Sequence, residues 1–90
     1  MNINANLVDA AGFGDVDEVL GILDQGANIN YLWPLYNISA LMMAVSEGND
    51  DIVRLLLERG ANTNIQDSRG FTALMYATTY NNNTEIIELL

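Results

Sequence analysis

The chain has no histidine, no cysteine and no lysine, and it holds one proline and three arginines. Without His, Cys or Lys, the usual general base and the usual strong nucleophiles are missing, so an enzymatic role has little to stand on. The lack of cysteine removes disulfide staples and thiolate metal sites together, and a reducing cytoplasm is the default compartment. There is no glycine-rich phosphate cradle. A calcium loop starting at Asp15 would need glycine at its sixth position, which is Leu20. The sequence thus predicts no catalytic residue, no cofactor and no metal. Long apolar runs are also missing, since the longest uncharged one, Ala40 to Val45, falls far short of the ~20 residues that span a membrane. Residues 1–30 contain no Lys or Arg, so no secretory signal with its basic leading region is expected, and Met1 reads as the native start.

Positive charge is scarce as well. The net charge is −9, and it is unevenly placed: residues 1–53 hold eight acids and no base, giving −8, while residues 54–90 hold four acids and three arginines, giving −1. Such a field repels nucleic acid and anionic membranes and steers a basic partner toward the N-terminal half. Part of it has a local origin, because Asp50 and Asp51 stand where a second helix begins and complement the helix dipole.

What is present is apolar residue and repetition. Half of the 90 residues are hydrophobic, which argues against disorder despite the charge, and the length suits one domain that buries about 60–65% of its unfolded surface. Gly26-Ala27-Asn28-Ile29-Asn30 returns as Gly60-Ala61-Asn62-Thr63-Asn64, an offset of 34 residues. Leu7 to Leu41 is also 34, whereas Leu41 to Leu74 and Ala44 to Ala77 are 33. Three copies are therefore in step, at approximately 5–30, 31–64 and 65–90, the last incomplete.

Each copy reads as two helices and a turn. In the second, Ser39 suits an N-cap ahead of Leu41, Ala44 and Val45; Gly48 or Asn49 breaks that helix; Ile52, Val53, Leu56 and Leu57 recur at helical spacing; and Gly60 fits a left-handed C-cap. The alanines Ala10, Ala11, Ala44 and Ala77 let neighbouring helices come close. No copy can bury its own apolar face, so stacking is required.

Ser39-Ala40-Leu41-Met42, then Ala44, Gly48, Asp51 to Leu57 and Gly60-Ala61-Asn62 make this sequence resemble the ankyrin repeat over residues 7–90. The resemblance implies an all-α solenoid of stacked helix-turn-helix repeats joined by β-hairpin-like loops, forming a single domain over residues 1–90. It also implies a non-catalytic module that binds a protein partner through a concave surface of loop tips and first helices. The first copy, rich in acids and starting at Leu7, looks like an N-terminal capping repeat. Glu85 to Leu90 matches only the opening of a second helix, so the chain is expected to be the N-terminal piece of a longer array, or to self-associate through the open end. A rival reading makes it the targeting or regulatory arm of a larger enzyme or effector.

The chain departs from the family pattern in four places. Ala40 and Ala73 replace the proline of the opening tetrapeptide and Met42 and Met75 its histidine, so methionine packing is expected where an imidazole network would stand. The third copy has one extra residue between Ala77 and Glu85, with Asn81-Asn82-Asn83 in place of Gly-His, which predicts a longer loop. One extra residue also lies between Asn30 and Ser39, where Tyr31, Leu32, Trp33, Pro34, Leu35 and Tyr36 replace the polar tip Ile65 to Gly70 of the third copy. Two readings of that aromatic segment stay open: Tyr31, Trp33, Leu35 and Tyr36 anchor a partner, as Trp and Tyr often do, or they fold back onto the first two repeats. The corresponding recognition positions are Gly12 and Phe13 in the first copy, Ser46 and Glu47 in the second, and Phe71 and Tyr80 in the third, with Arg69 on the third tip. Singly these are ordinary surface residues, and only as a contiguous stripe do they argue for a binding face.

Overall fold

The computed structural model describes residues 2–90, apart from the side chain of Asn81. Met1 lies outside the described residues. Three helix pairs follow one another: α1 (Ile3–Phe13) with α2 (Val16–Asp24), α3 (Ala40–Ser46) with α4 (Asp50–Glu58), and α5 (Ala73–Tyr76), prolonged by a π-helical turn (Ala77–Asn81), with α6 (Thr84–Leu89). The first helices stack α1 on α3 on α5, and the second helices stack α2 on α4 on α6. The all-α solenoid expected from the repeat is what forms.

Caps fix most of the helix starts. Side-chain oxygens of Asp15, Ser39 and Thr72 accept hydrogen bonds from the backbone N–H groups of Glu18, Met42 and Met75, and Asn83 accepts from Glu85 and Ile86. Asn49 is the exception. It makes no cap bond; its side-chain amide instead donates to the carbonyls of Ala11 at 2.8 Å and Gly12 at 3.2 Å. Those carbonyls end α1 and have no partner within their own helix, so Asn49 ties the second repeat to the first through groups that water would otherwise have to satisfy.

The first helix begins earlier than the copy boundary suggests. Asn2 caps α1 by accepting from Asn4 and Ala5, and Asn4 in turn accepts from the backbone N–H of Asn28 at 2.7 Å. The leading residues thereby supply to the first exit loop the acceptor that Asn30 supplies to the second, where it bonds the N–H of Asn62 at 2.8 Å.

The core runs along the seam between the helix layers, with Leu7, Val8, Ala10 and Ala11 of α1, Val19 and Ile22 of α2, Leu41, Met42, Ala44 and Val45 of α3, Ile52, Val53 and Leu56 of α4, then Tyr76, Ala77 and Ile86. Burial changes along the stack at one register position: Leu7 is 0% exposed, Leu41 2% and Leu74 44%. The helices that carry Leu7 and Leu41 each have a following first helix stacked on them. The same effect corrects the methionine expectation, since Met42 is buried but Met75 is exposed.

Both extra residues are absorbed locally. In the third copy no longer loop forms. The additional residue widens the helix end into the π turn, closed by Asn82 N–H donating to Ala77 C=O at 2.7 Å, and Asn82 takes a left-handed φ of 49° where Gly48 has 71°. In the second copy, Trp33 and Ile38 pair as an antiparallel bridge around Pro34-Leu35-Tyr36-Asn37, with Asn37 at φ 57°. The third tip closes around one residue fewer, Asp67 N–H donating to Phe71 C=O at 2.8 Å. The two tips touch, with Ser68 N–H donating to Tyr36 C=O at 2.9 Å.

Candidate functional site

Two clefts lie along the loop tips and first helices of the stack. At its C-terminal end the organising group is the carboxylate of Asp67, whose side chain is 1% exposed. One of its oxygens accepts from the backbone N–H groups of Arg69 at 2.8 Å and Phe71 at 3.0 Å. The other accepts from the hydroxyl of Tyr76 and lies 3.4 Å from the Arg69 guanidinium. Burial pushes the Asp67 carboxyl up, but hydrogen bonds from Tyr76, Phe71 and Arg69 together outweigh it and hold the group below its ordinary value. Burial and the bond to Asp67 push the Tyr76 phenol above its own. The tyrosine oxygens and Asp67 raise the Arg69 guanidinium further, so that it stays charged.

Arg69 links the rest of the cluster. Its guanidinium sits 4.5 Å from the centroid of Phe71 and donates to the hydroxyls of Tyr76 at 3.2 Å and Tyr80 at 3.5 Å. Tyr76 and Tyr80 stack with centroids 5.6 Å apart, and Phe71 meets Tyr76 edge-on at 5.8 Å. Between this cluster and the second tip is a cleft of about 380 Å³ lined by Tyr36, Ile38, Asp67, Arg69 and Tyr76. A second trough of about 310 Å³ lies between α1 and α3, lined by Asp9, Gly12, Phe13, Met43 and Glu47.

The residues singled out in the sequence divide between these settings. Trp33 has most of its surface covered at 38% exposure, whereas Leu35 and Tyr36 point outward from the second tip at 68% and 58%, so the fold-back reading does not describe the latter two. It does describe Tyr31, which is half-buried against the core, its hydroxyl accepting from the side chain of Asn2 at 3.2 Å. Tyr36, Arg69, Phe71 and Tyr80 come together at the C-terminal cleft, although Phe71 packs against the core and serves as the floor beneath Arg69. Glu47 borders the α1–α3 trough. Ser46 is half-buried, its hydroxyl donating to the carbonyl of Met43 at 3.0 Å.

Sequence reasoning missed Asp67 and Tyr76. The signals were there: Tyr76 precedes Tyr80 by four residues, one helical turn on the same face, and Asp67 stands two and four residues ahead of backbone donors that an Asx turn recruits. Among the described residues, no three Asp, Glu, His or Cys side chains are grouped to hold a metal ion, and no helix is long and apolar enough to cross a membrane.

The family model for ankyrin repeats matches residues 7–90 in three copies. The chain belongs to the ankyrin-repeat family. Among its relatives, a putative ankyrin repeat protein of fowlpox virus, FPV031, is 39% identical over 84 residues, covering 93% of this chain and 25% of the relative. The ankyrin repeat protein nuc-2 of Neurospora crassa is 37% identical over 78 residues, 86% of this chain and 7% of the relative. The E3 ubiquitin-protein ligase hecd-1 of Caenorhabditis elegans is 38% identical over 65 residues, 72% of this chain and 2% of the relative. The chain thus spans a quarter or less of these relatives' own length. Ankyrin repeats are in general protein–protein interaction modules.

Proposed function

We propose that this ankyrin-repeat chain is a non-catalytic module that binds an extended segment of a protein partner along its loop tips and first helices. The observation that carries this reading is the second tip: one residue longer than the third, it holds Leu35 and Tyr36 out beside the cleft walled by Arg69 and Tyr76. Large apolar side chains beside a preformed cleft with a few fixed polar groups are the usual makings of a hot spot. Trp33 and Tyr80 extend the same surface, and the acidic N-terminal half favours a partner with a basic surface, in a cytoplasmic setting. Selection of displayed peptides on the wild-type chain tests the proposal. Enriched sequences should bind at least tenfold more weakly to Trp33→Ala/Tyr36→Ala and equally well to Glu58→Ala on α4; equal binding to all three proteins would overturn it.

A second reading is favoured by one specific observation, the likeness to hecd-1, an E3 ubiquitin-protein ligase of which the matched region is a small share. In that reading the same face recruits a partner for chemistry carried out elsewhere in a longer polypeptide. Tethering this chain to an unrelated ligase domain, and asking whether proteins carrying a selected peptide become modified, separates the two.

A further inference from the structure

The trough between α1 and α3 has walls of two kinds. Asp9 and Phe13 are one turn apart on α1, and Met43 of α3 is one turn ahead of Glu47, which caps that helix. The 34-residue offset sets Asp9 level with Met43 and Phe13 level with Glu47, so the two carboxylates occupy one diagonal of a four-cornered box and the two apolar side chains the other. The helices approach closely because residue 12 is glycine: a Cβ there would lie 2.8 Å from Met43 Cγ. Phe13 is 86% exposed, the most open of the large hydrophobic side chains among the described residues, and it shares the trough with Met43 and with two acids.

Among the described residues, no cation answers those carboxylates. There are three arginines and no lysine; Arg54 pairs with Glu85, Arg59 lies 3.6 Å from Asp24, and Arg69 is tied to Asp67. We infer that the Asp9–Phe13–Met43–Glu47 trough receives an arginine side chain of the protein partner. This rests on the binding face proposed above and gives its N-terminal end a ligand chemistry. The match is one of shape as well as charge. A planar guanidinium can lie on the face of Phe13 while its in-plane donors reach carboxylates on opposite corners, and its aliphatic stem covers Met43. An ammonium is a point donor and would satisfy one corner at a time.

Acetyl-arginine amide, with isosteric neutral acetyl-citrulline amide as control, tests this by NMR titration of the isotope-labelled chain. Saturable shifts are expected at the Gly12 and Phe13 amides and the Met43 methyl group, with apparent affinity at least ~5-fold above that of the citrulline probe. They should vanish in Asp9→Asn/Glu47→Gln, whose exposed positions leave the rest of the spectrum unchanged. Equal shifts from citrulline, or shifts spread evenly over all the acids, would overturn the inference. If selected peptides still require Trp33 and Tyr36 while arginine amide fails, only the trough assignment falls; if arginine amide binds but those peptides ignore the tip, the wider face falls.

Discussion

The side-chain oxygen of Asn30 accepts the backbone N–H of Asn62 at 2.8 Å, joining two exit loops 32 residues apart. Asn4 does the same for Asn28, and inside each loop Asn28 and Asn62 accept from the N–H groups of Asn30 and Asn64 at 2.9 Å. The recurring asparagines are therefore a rail of hydrogen bonds running along the stack. Replacing Asn30 by Ala removes one link and leaves the Asn62 N–H to water, which should cost about 1 kcal/mol. Urea denaturation of the two proteins measures it, and amide exchange at Asn62 should quicken.

Leu41 and Leu74 hold the same register, and their substitutions should diverge. Leu41→Ala opens a cavity between repeats and should cost about 2–5 kcal/mol. Leu74→Ala, already 44% exposed, should cost about 1 kcal/mol or less. Equal losses in parallel denaturation curves would contradict the graded burial.

Asp67 should impose an acid limb on stability. Its folded value lies below the ordinary 3.8, so the stabilisation is complete above 3.8 and is lost as pH falls below it through the folded value. Tyr76 acts in the opposite sense: its phenol is raised above 10.0, so its contribution is complete below that pH and lost as pH rises through the folded value. Asp67→Asn should cost about 2 kcal/mol near neutrality and flatten the acid limb, as read from melting temperature against pH.

Tyr36→Ala should change stability by about 1 kcal/mol or less, since that side chain is 58% exposed, whereas Trp33→Ala, at 38% exposure, should cost about 1–2 kcal/mol. A large loss of stability from Trp33→Ala would return that ring to the core and remove it from the binding face.

The fold was legible because its signals are local and repeated. Ser39, Asp50, Gly48 and Gly60 each declare a helix end within a few residues, and three copies make chance agreement negligible. The candidate site was legible where side chains simply project, as at Leu35 and Tyr36. It was hidden where a turn folds onto itself: Asp67 looks like one more polar tip residue until the backbone of Arg69 and Phe71 and the hydroxyl of Tyr76 converge on it. Met75 was misjudged for a related reason, because its burial depends on a neighbouring repeat and not on its own sequence context. The Asp9–Met43 and Phe13–Glu47 rows were present in the spacing, but their meaning came only with the close approach at Gly12.

The π turn at Ala77–Asn81 shows how this stack tolerates a change in length. The copies are 33 residues apart at Ala44 and Ala77 yet 34 apart at Gly48 and Asn82, so the whole correction takes place within one widened coil, and Asn83 returns to the capping position held by Asn49. Side chains on either side keep their phase. A gained residue is thus spent as girth at a helix end instead of displacing the face that follows, and this position offers a place where repeats of unequal length can share one continuous surface.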